Sequence, residues 1–142
     1  MELEPIALII RPITPADAKA WETLRCDLWP EEPESHAVEI AAFFEKKLEE
    51  PIAVLVAENK AGTIVGFAEL SIRFDIPSFE QERVGYIEGL YVIPSARGRG
   101  ITGELLRAVR RWAHEQKCEA LASDRAERVV IDRRFHPKQI SP

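Results

Sequence analysis

One stretch of this chain restricts its fold more than any other: Tyr91-Val92-Ile93-Pro94-Ser95-Ala96-Arg97-Gly98-Arg99-Gly100-Ile101-Thr102-Gly103-Glu104-Leu105-Leu106. A strand-forming run meets a proline, crosses a loop of glycine and arginine, and opens at once into a helix. In that helix Ile101, Leu105, Leu106, Val109, Trp112 and Ala113 fall on one stripe. A strand that feeds an amphipathic helix packs that helix across a sheet, so the chain reads as α/β. The junction also suits an anion, because unpaired N–H groups and the positive end of the helix dipole converge at a helix N-terminus. Gly98 and Gly100 let a bulky anion approach the backbone closely, and Arg97 and Arg99 add positive charge.

Rival phosphate loops match less well. The GxxxxGK[ST] pattern is absent, and the loop holds no lysine. Gly98-x-Gly100-x-x-Gly103 does fit the dinucleotide pattern GxGxxG, with Asp124 about 20 residues on. Too little chain follows, however, to build the rest of a parallel dinucleotide-binding sheet, and a hairpin precedes the loop. A plain strand-turn-helix connection is the remaining alternative.

The rest of the chain reads as a single domain over residues 1–142, without repeats or linker-like tracts. Ile6 to Arg11 is expected to form a first strand. Thr14-Pro15-Ala16-Asp17 starts a helix that stops before Pro30. Ser35 is expected to cap a second helix, with Val38, Ala41, Ala42 and Leu48 near one face. Ile52 to Ala57 and Thr63 to Phe74 read as a hairpin around Asn59 to Gly62. The second half of that hairpin alternates, with Ala68, Leu70, Ile72 and Phe74 opposite Glu69, Ser71 and Arg73. Val84 to Ile93 and Ala120 to Ser123 supply two more strands. The order β-αα-βββ-α-β implies a mixed sheet with helices on both faces.

Composition narrows the function. At 142 residues a domain buries roughly 70% of its unfolded surface. The chain is 46% hydrophobic and 30% charged, as expected of a globular protein, and no run approaches the ~18 apolar residues of a membrane span. Ile6 to Ile10 is too short for a signal peptide. Cys26 and Cys118 form no disulfide framework and no zinc spacing; both are expected to be buried free thiols in a cytoplasmic protein. Nineteen basic and 24 acidic residues give a net charge of −5, which argues against nucleic acid and suits a cationic substrate.

The loop resembles the pyrophosphate loop of the GNAT superfamily of N-acetyltransferases, patterned R/Q-x-x-G-x-G/A. Arg97-x-x-Gly100-x-Thr102 matches the arginine and the first glycine and departs at Thr102, with Gly103 alongside restoring some room. Four more blocks resemble the aminoglycoside 6'-N-acetyltransferases within that superfamily. They are Leu24-Arg25-Cys26-Asp27-Leu28-Trp29-Pro30 with His36 after it, Ala68 to Asp75, Gly85 to Val92, and Leu121-Ala122-Ser123-Asp124. With the first strand, the blocks cover residues 6 to about 124 in order.

The resemblance implies the acyl-CoA N-acyltransferase (GNAT) fold, acetyl-CoA as cosubstrate and no metal. The acetyl group would pass to an amine, most simply the 6'-amine of an aminoglycoside, by direct attack on the thioester. It also implies that the backbone of Leu90, Tyr91 and Val92 pairs with the pantetheine arm, with N–H groups near Val92 stabilising the oxyanion. Residues Gly98 to Gly103, including Arg99, Ile101 and Thr102, would hold the pyrophosphate beside Arg97. Glu88 and Asp124 would be catalytic and would face the amino sugar. Trp29, Glu32, His36 and Asp75 would line the same pocket, and Ile76 stands where relatives often have a tyrosine. Another amine (a polyamine or a protein N-terminus) and a catalytically silent acetyl-CoA binder stay open as alternatives.

The chemistry agrees with these roles. Aminoglycosides are polycations that carboxylates attract and orient, and a protonated amine needs a base before it can attack a thioester. Strand alternation is expected to set Glu88 on the face of Tyr86, Leu90 and Val92, with Asp124 ending the adjoining strand. Acids paired there repel, which raises at least one pKa.

Residues 125–142 are fewer than the resemblance calls for, so the C-terminus is expected to be atypically short. Either Glu127-Arg128-Val129-Val130 begins a final strand after an internal deletion, or Phe135-His136 belongs to a helix that is cut off early. Tyr86 and Tyr91 are the only tyrosines, so no tyrosine acid follows Asp124. A thiolate leaving group with a pKa near ~8.5 needs little help. Val129-Val130-Ile131 is expected to pair with a sheet, of its own chain or of a partner, in a homodimer.

Overall fold

A computed structural model describes residues 8–124 and 128–132, the backbone alone for 124 and 128–132. The elements are β1 (Ile9–Pro12), α1 (Ala18–Leu28), α2 (Pro33–Phe44), β2 (Ala53–Glu58), β3 (Ile64–Arg73), β4 (Val84–Val92), α3 (Ile101–Glu115), β5 (Ala120–Asp124) and β6 (Arg128–Asp132). That is the expected order with one strand added. Residues 6 and 7 of the expected first strand lie outside the described residues. The six strands lie side by side in chain order. Every neighbouring pair is antiparallel except β4 and β5, which run parallel because α3 crosses between them.

Each face of the sheet carries its own core. The helical spacing of Ile101, Leu105, Val109 and Ala113 buries one stripe of α3 against Leu55, Ala68, Leu70, Ile87, Val92 and Leu121. On the opposite face α1 and α2 bring Trp21, Leu24 and Ile40 onto Val54, Val56, Ile64 and Phe67. Farther along that face, Ile76 and Phe79 from the β3–β4 loop close over Val84, Tyr86, Ala120 and Ala122.

The chain enters α1 through a 3-10 turn at Pro15–Asp17. The Asp17 carboxylate accepts from the Thr14 N–H (2.8 Å) and hydroxyl (3.1 Å), and takes both ends of the Arg11 guanidinium (2.8 and 3.0 Å). The Arg11 bonds are the main reason that its pKa falls to about 2.

The second helix departs from expectation. It begins at Pro33, which fills the first helical position, while Glu32 takes a left-handed φ of 55° as N-cap. Ser35 lies inside the first turn and its hydroxyl donates to the Glu32 carbonyl at 2.9 Å. The buried face is His36 and Ile40, and Val38 is 69% exposed. The reason is aromatic: Phe43 and Phe44 stand edge-on to Trp21, at 5.2 and 5.9 Å, and this contact fixes how α2 rolls.

Both faces of β3 fall where the alternation places them, but the polar one is not solvated. Glu69 is 1% exposed and Ser71 fully buried, because α1 lies over that face. Phe74, past the end of the strand, is exposed. Cys118 is buried and its thiol is pushed up to about 11, chiefly by desolvation. Cys26 is only half-buried, since it lies on α1 between the core stripe and solvent. The Val129-Val130-Ile131 run lies in β6, which pairs antiparallel with β5 of the same chain through Ser123↔Val129 and Asp124↔Arg128. Phe135 and His136 lie outside the described residues.

Candidate active site

β4 carries one residue more than its partner. It pairs with β3 through Leu70↔Ile87 and next through Glu69↔Gly89, so Glu88 is the bulged residue. The bulge resets the alternation and turns Glu88 and Gly89 to the same α1–α2 face. Glu88 there meets Arg73, and a Cβ on Gly89 would stand 2.5 Å from Trp29 Cη2. Glu88 therefore shares a face with Tyr86 as expected, but not with Leu90 and Val92, which pack toward α3.

Beyond the bulge β4 loses its other neighbour. Its pairing with β5 runs from Val84↔Ala120 to Ile87↔Ser123 and stops. The Ile93 N–H donates to Val65 at 2.9 Å, so alternation aims the amides of Leu90 and Val92 at the edge that β5 has left. The loop that follows presents backbone. Gly98 and Gly100 adopt φ of 79° and 82°, Gly100 as the N-cap of α3, and a Cβ at either would meet no atom within 4 Å. The Arg97 guanidinium turns back, donating from Nε to the Val92 carbonyl at 2.8 Å and lying 5.5 Å from the Tyr91 ring centre. Thr102 and Gly103 are exposed on the first turn of α3, and the Ile101 side chain is buried beneath it. Arg99 lines a cavity of about 320 Å³ with Leu8, Ile10, Gly100, Ile101 and Glu104.

On the other side of the bulge a cleft of about 350 Å³ separates the α1–α2 corner from β3 and β4. Six of its lining residues are glutamates: Glu31, Glu32, Glu39, Glu50, Glu69 and Glu88. Arg25 stands among them, buried, with its guanidinium between the rings of Trp21 (5.7 Å) and Trp29 (5.2 Å). It holds Glu69 at both oxygens (2.6 and 3.1 Å), Glu39 at 2.7 Å and His36 Nδ1 at 3.2 Å. Burial opposes the Arg25 charge, but Glu69 and then Glu39 outweigh it and hold the pKa above the ordinary arginine value. A guanidinium only donates, so His36 Nδ1 accepts, and Nε2 carries the proton donated to the Trp29 carbonyl at 2.8 Å. Trp21 Nε1 donates to Glu69 at 2.8 Å. At the head of the cleft Glu88 lies half-buried. Desolvation is the largest influence and raises its pKa, Arg73 pulls it down, and Glu50 adds an upward push.

An open strand edge, a backbone cradle at a helix N-terminus and an acidic cleft thus meet at one bulge. Residues 18–139 match the Acetyltransferase (GNAT) family. The chain belongs to that family. It is 40% identical over 117 residues to an aminoglycoside N(6')-acetyltransferase type 1 of Klebsiella aerogenes, which covers 82% of this chain and 77% of that one. Among solved structures it is similar to the aminoglycoside N-acetyltransferase AAC(6')-Iy in complex with CoA, with TM-score 0.75 and 29% identity over 88% of this chain and 81% of that one. It is also similar to AAC(6')-Iy in complex with the bisubstrate analogue CoA-S-monomethyl-acetylneamine, with TM-score 0.73 and 32% identity over 83% and 79% of the two chains.

In this GNAT protein the cleft brings together Trp29, Glu32, His36 and Glu88 of the residues expected at the amino-sugar site. Two others are elsewhere. Asp75 is exposed in the loop after β3, and Ile76 is 1% exposed inside the core with Phe79 and Tyr86, where a pocket contact is sterically closed to it. The Asp124 backbone lies one step past the Ile87↔Ser123 pair, beside the bulge. Sequence reasoning missed Arg25, Glu39, Glu50 and Glu69. The signal for Glu69 was present, since a polar face on a strand covered by a helix has to be buried and paired. Among the described residues no group of His, Cys, Asp or Glu is placed to hold a metal, and no helix is long and apolar enough to cross a membrane.

Proposed function

We propose that this protein transfers an acetyl group from acetyl-CoA to the 6'-amine of an aminoglycoside. The observation that carries the reading is the acidic cleft ending at Glu88, beside an open strand edge that leads to a glycine cradle. The relatives named above carry out or bind the components of that reaction. The cradle suits the coenzyme: left-handed Gly98 and Gly100 leave open space where a side chain would stand, and the amides of Leu90 and Val92 face the free edge. Acetyl-CoA supplies the thioester from which an amine takes the acetyl group directly.

The residues of the chain divide the remaining work. Gly98, Gly100, Thr102 and Gly103 offer N–H groups and the α3 dipole to a pyrophosphate, with Arg99 adding charge from the rim. Leu90 and Val92 pair with the pantetheine arm, and the Val92 N–H stands ready for a developing oxyanion. Arg97 acts through Val92 and Tyr91, bracing the loop rather than reaching for phosphate. Trp29, Glu32 and their neighbours surround the cationic sugar, His36 holds Trp29 in place, and Glu88 takes a proton from the amine. Its raised pKa matches that duty. Asp124 serves as the second acid beside Glu88. We place the protein in the cytoplasm as a homodimer, and light scattering of the chain with and without residues 126–142 tests the second point.

Thiol release from acetyl-CoA, with kanamycin, spermidine and a peptide amine offered in parallel, tests the reaction. Kanamycin is expected to be the substrate, and kcat/KM higher for spermidine or the peptide would overturn the assignment.

A further inference from the structure

Glu50 and Glu88 belong to different elements, yet one side chain holds both. Arg73 donates from Nε to Glu88 Oε2 at 3.0 Å, and from Nη2 to Glu88 Oε1 at 3.1 Å and Glu50 Oε1 at 2.9 Å. Its guanidinium lies 4.4 Å from the centre of the Tyr86 ring, and Tyr86 is itself fully buried. That platform and the forked geometry suit arginine and not lysine. Both carboxylates line the cleft while Arg73 does not. The guanidinium therefore grips them from outside, and each keeps acceptor capacity for a ligand.

Two carboxylates held this close repel each other, and a shared cation is what allows them to stand together. We infer that Arg73 is a positioning residue that locks Glu50 and Glu88 into one seat for the substrate's ammonium group, Glu88 receiving its proton and Glu50 binding its charge. The inference rests on the acetyl-transfer reading. In the proton step an ammonium N–H bond breaks, an O–H bond forms on Glu88, and the nitrogen lone pair is freed for acylation; water removes the proton afterwards. The remaining charged or titratable groups around the cleft are Arg25, with His36, Glu39 and Glu69 bonded to it, and Glu31 and Glu32.

The clamp predicts opposite shifts from its two ends. Arg73 draws the pKa of Glu88 down and Glu50 pushes it up. Arg73→Met should therefore raise the Glu88 midpoint, and Glu50→Gln should lower it. Two readouts apply: carbon-13 NMR titration of glutamate carboxyls in the free protein, and the acid limb of kcat/KM against pH. Arg73→Lys should restore only part of the shift, and Glu50→Gln should raise the aminoglycoside KM by about 3–10-fold, the net worth of one ordinary hydrogen bond at a partly exposed site. Glu50 is partly exposed, so its variant reports even where Arg73→Met fails to fold. Midpoints that stay fixed, or that move in the same direction, overturn the clamp. The titration needs no substrate. Wild-type protein inert toward aminoglycosides would defeat the proposed reaction while the NMR shifts still decide the clamp.

Discussion

The α3 face of the sheet is filled by Leu55, Leu70, Ile87, Leu105 and Val109, whereas the α1–α2 face buries Arg25, His36 and Glu69 among Trp21, Leu24 and Phe67. The first face asks only that volumes fit. The second asks that each donor meet an acceptor, because an unpartnered buried charge costs far more than a lost methylene. A chain can build the first kind of core anywhere. The second kind stands where a cleft needs charges set in fixed places, and here the buried Arg25–Glu69 pair forms the floor on which Trp29 and the cleft carboxylates rest.

The sharpest way to break this contrast is to change chemistry without changing shape. Glu69→Ala should cost about 3 kcal/mol by leaving Arg25 buried with only the partly exposed Glu39 as counter-ion, read as a fall in the urea midpoint. Glu69→Gln, with nearly the same shape, should still destabilise more than Leu105→Met on the other face, which should cost less than about 1.5 kcal/mol. Equal losses would show that the two faces follow the same rule.

A second test separates cleft from cradle. Gly89→Ala puts a Cβ at 2.5 Å from the Trp29 ring and must push the indole into the cleft. The aminoglycoside KM should rise about tenfold, near 1.4 kcal/mol, with coenzyme affinity unchanged. Gly100→Val should do the reverse, because its left-handed backbone strains any branched residue by about 1–2 kcal/mol while its surroundings are empty. Calorimetry with CoA and steady-state kinetics would expose a variant that moves both.

The smallest effect lies away from both sites. Asp17 has a folded-state pKa of about 2, below its unfolded value near 3.8. Its contribution is present above about pH 4 and is lost as pH falls toward 2. With Arg11 partly exposed, screening leaves this at about 1 kcal/mol. Asp17→Asn should remove that much at pH 7 and almost nothing at pH 2 in denaturant titrations.

Local signals carried the fold far. The alternation of β3, the apolar stripe of α3 and the Thr14–Asp17 start each need only a few neighbouring residues to be read, and each element stands where its pattern placed it. The Arg25–Glu69 bond joins residues 44 apart and Trp21–Glu69 residues 48 apart, so no window on the chain displays them. The bonds of His36 are out of reach of a local window for the same reason, since its partners are Trp29 and Arg25 and not residues of its own helix. The face of Leu90 and Val92 was misread at one place, and Gly89 inside a strand was the available warning of an irregular ladder.

The bulge at Glu88 also gives β4 one residue that its pairing with β3 does not need. Removing that single residue would restore strict alternation with every other side chain on its present face, Ile87, Leu90 and Val92 toward α3 and Tyr91 toward α1 and α2, so the strand would keep its packing and lose only the carboxylate at the cleft. Loops elsewhere, such as residues 45–52 between α2 and β2, can lengthen or shorten without disturbing any face of the sheet. The count of residues from Val84 to the glycine cradle is therefore set by the need to seat Glu88 and not by the packing of the strand.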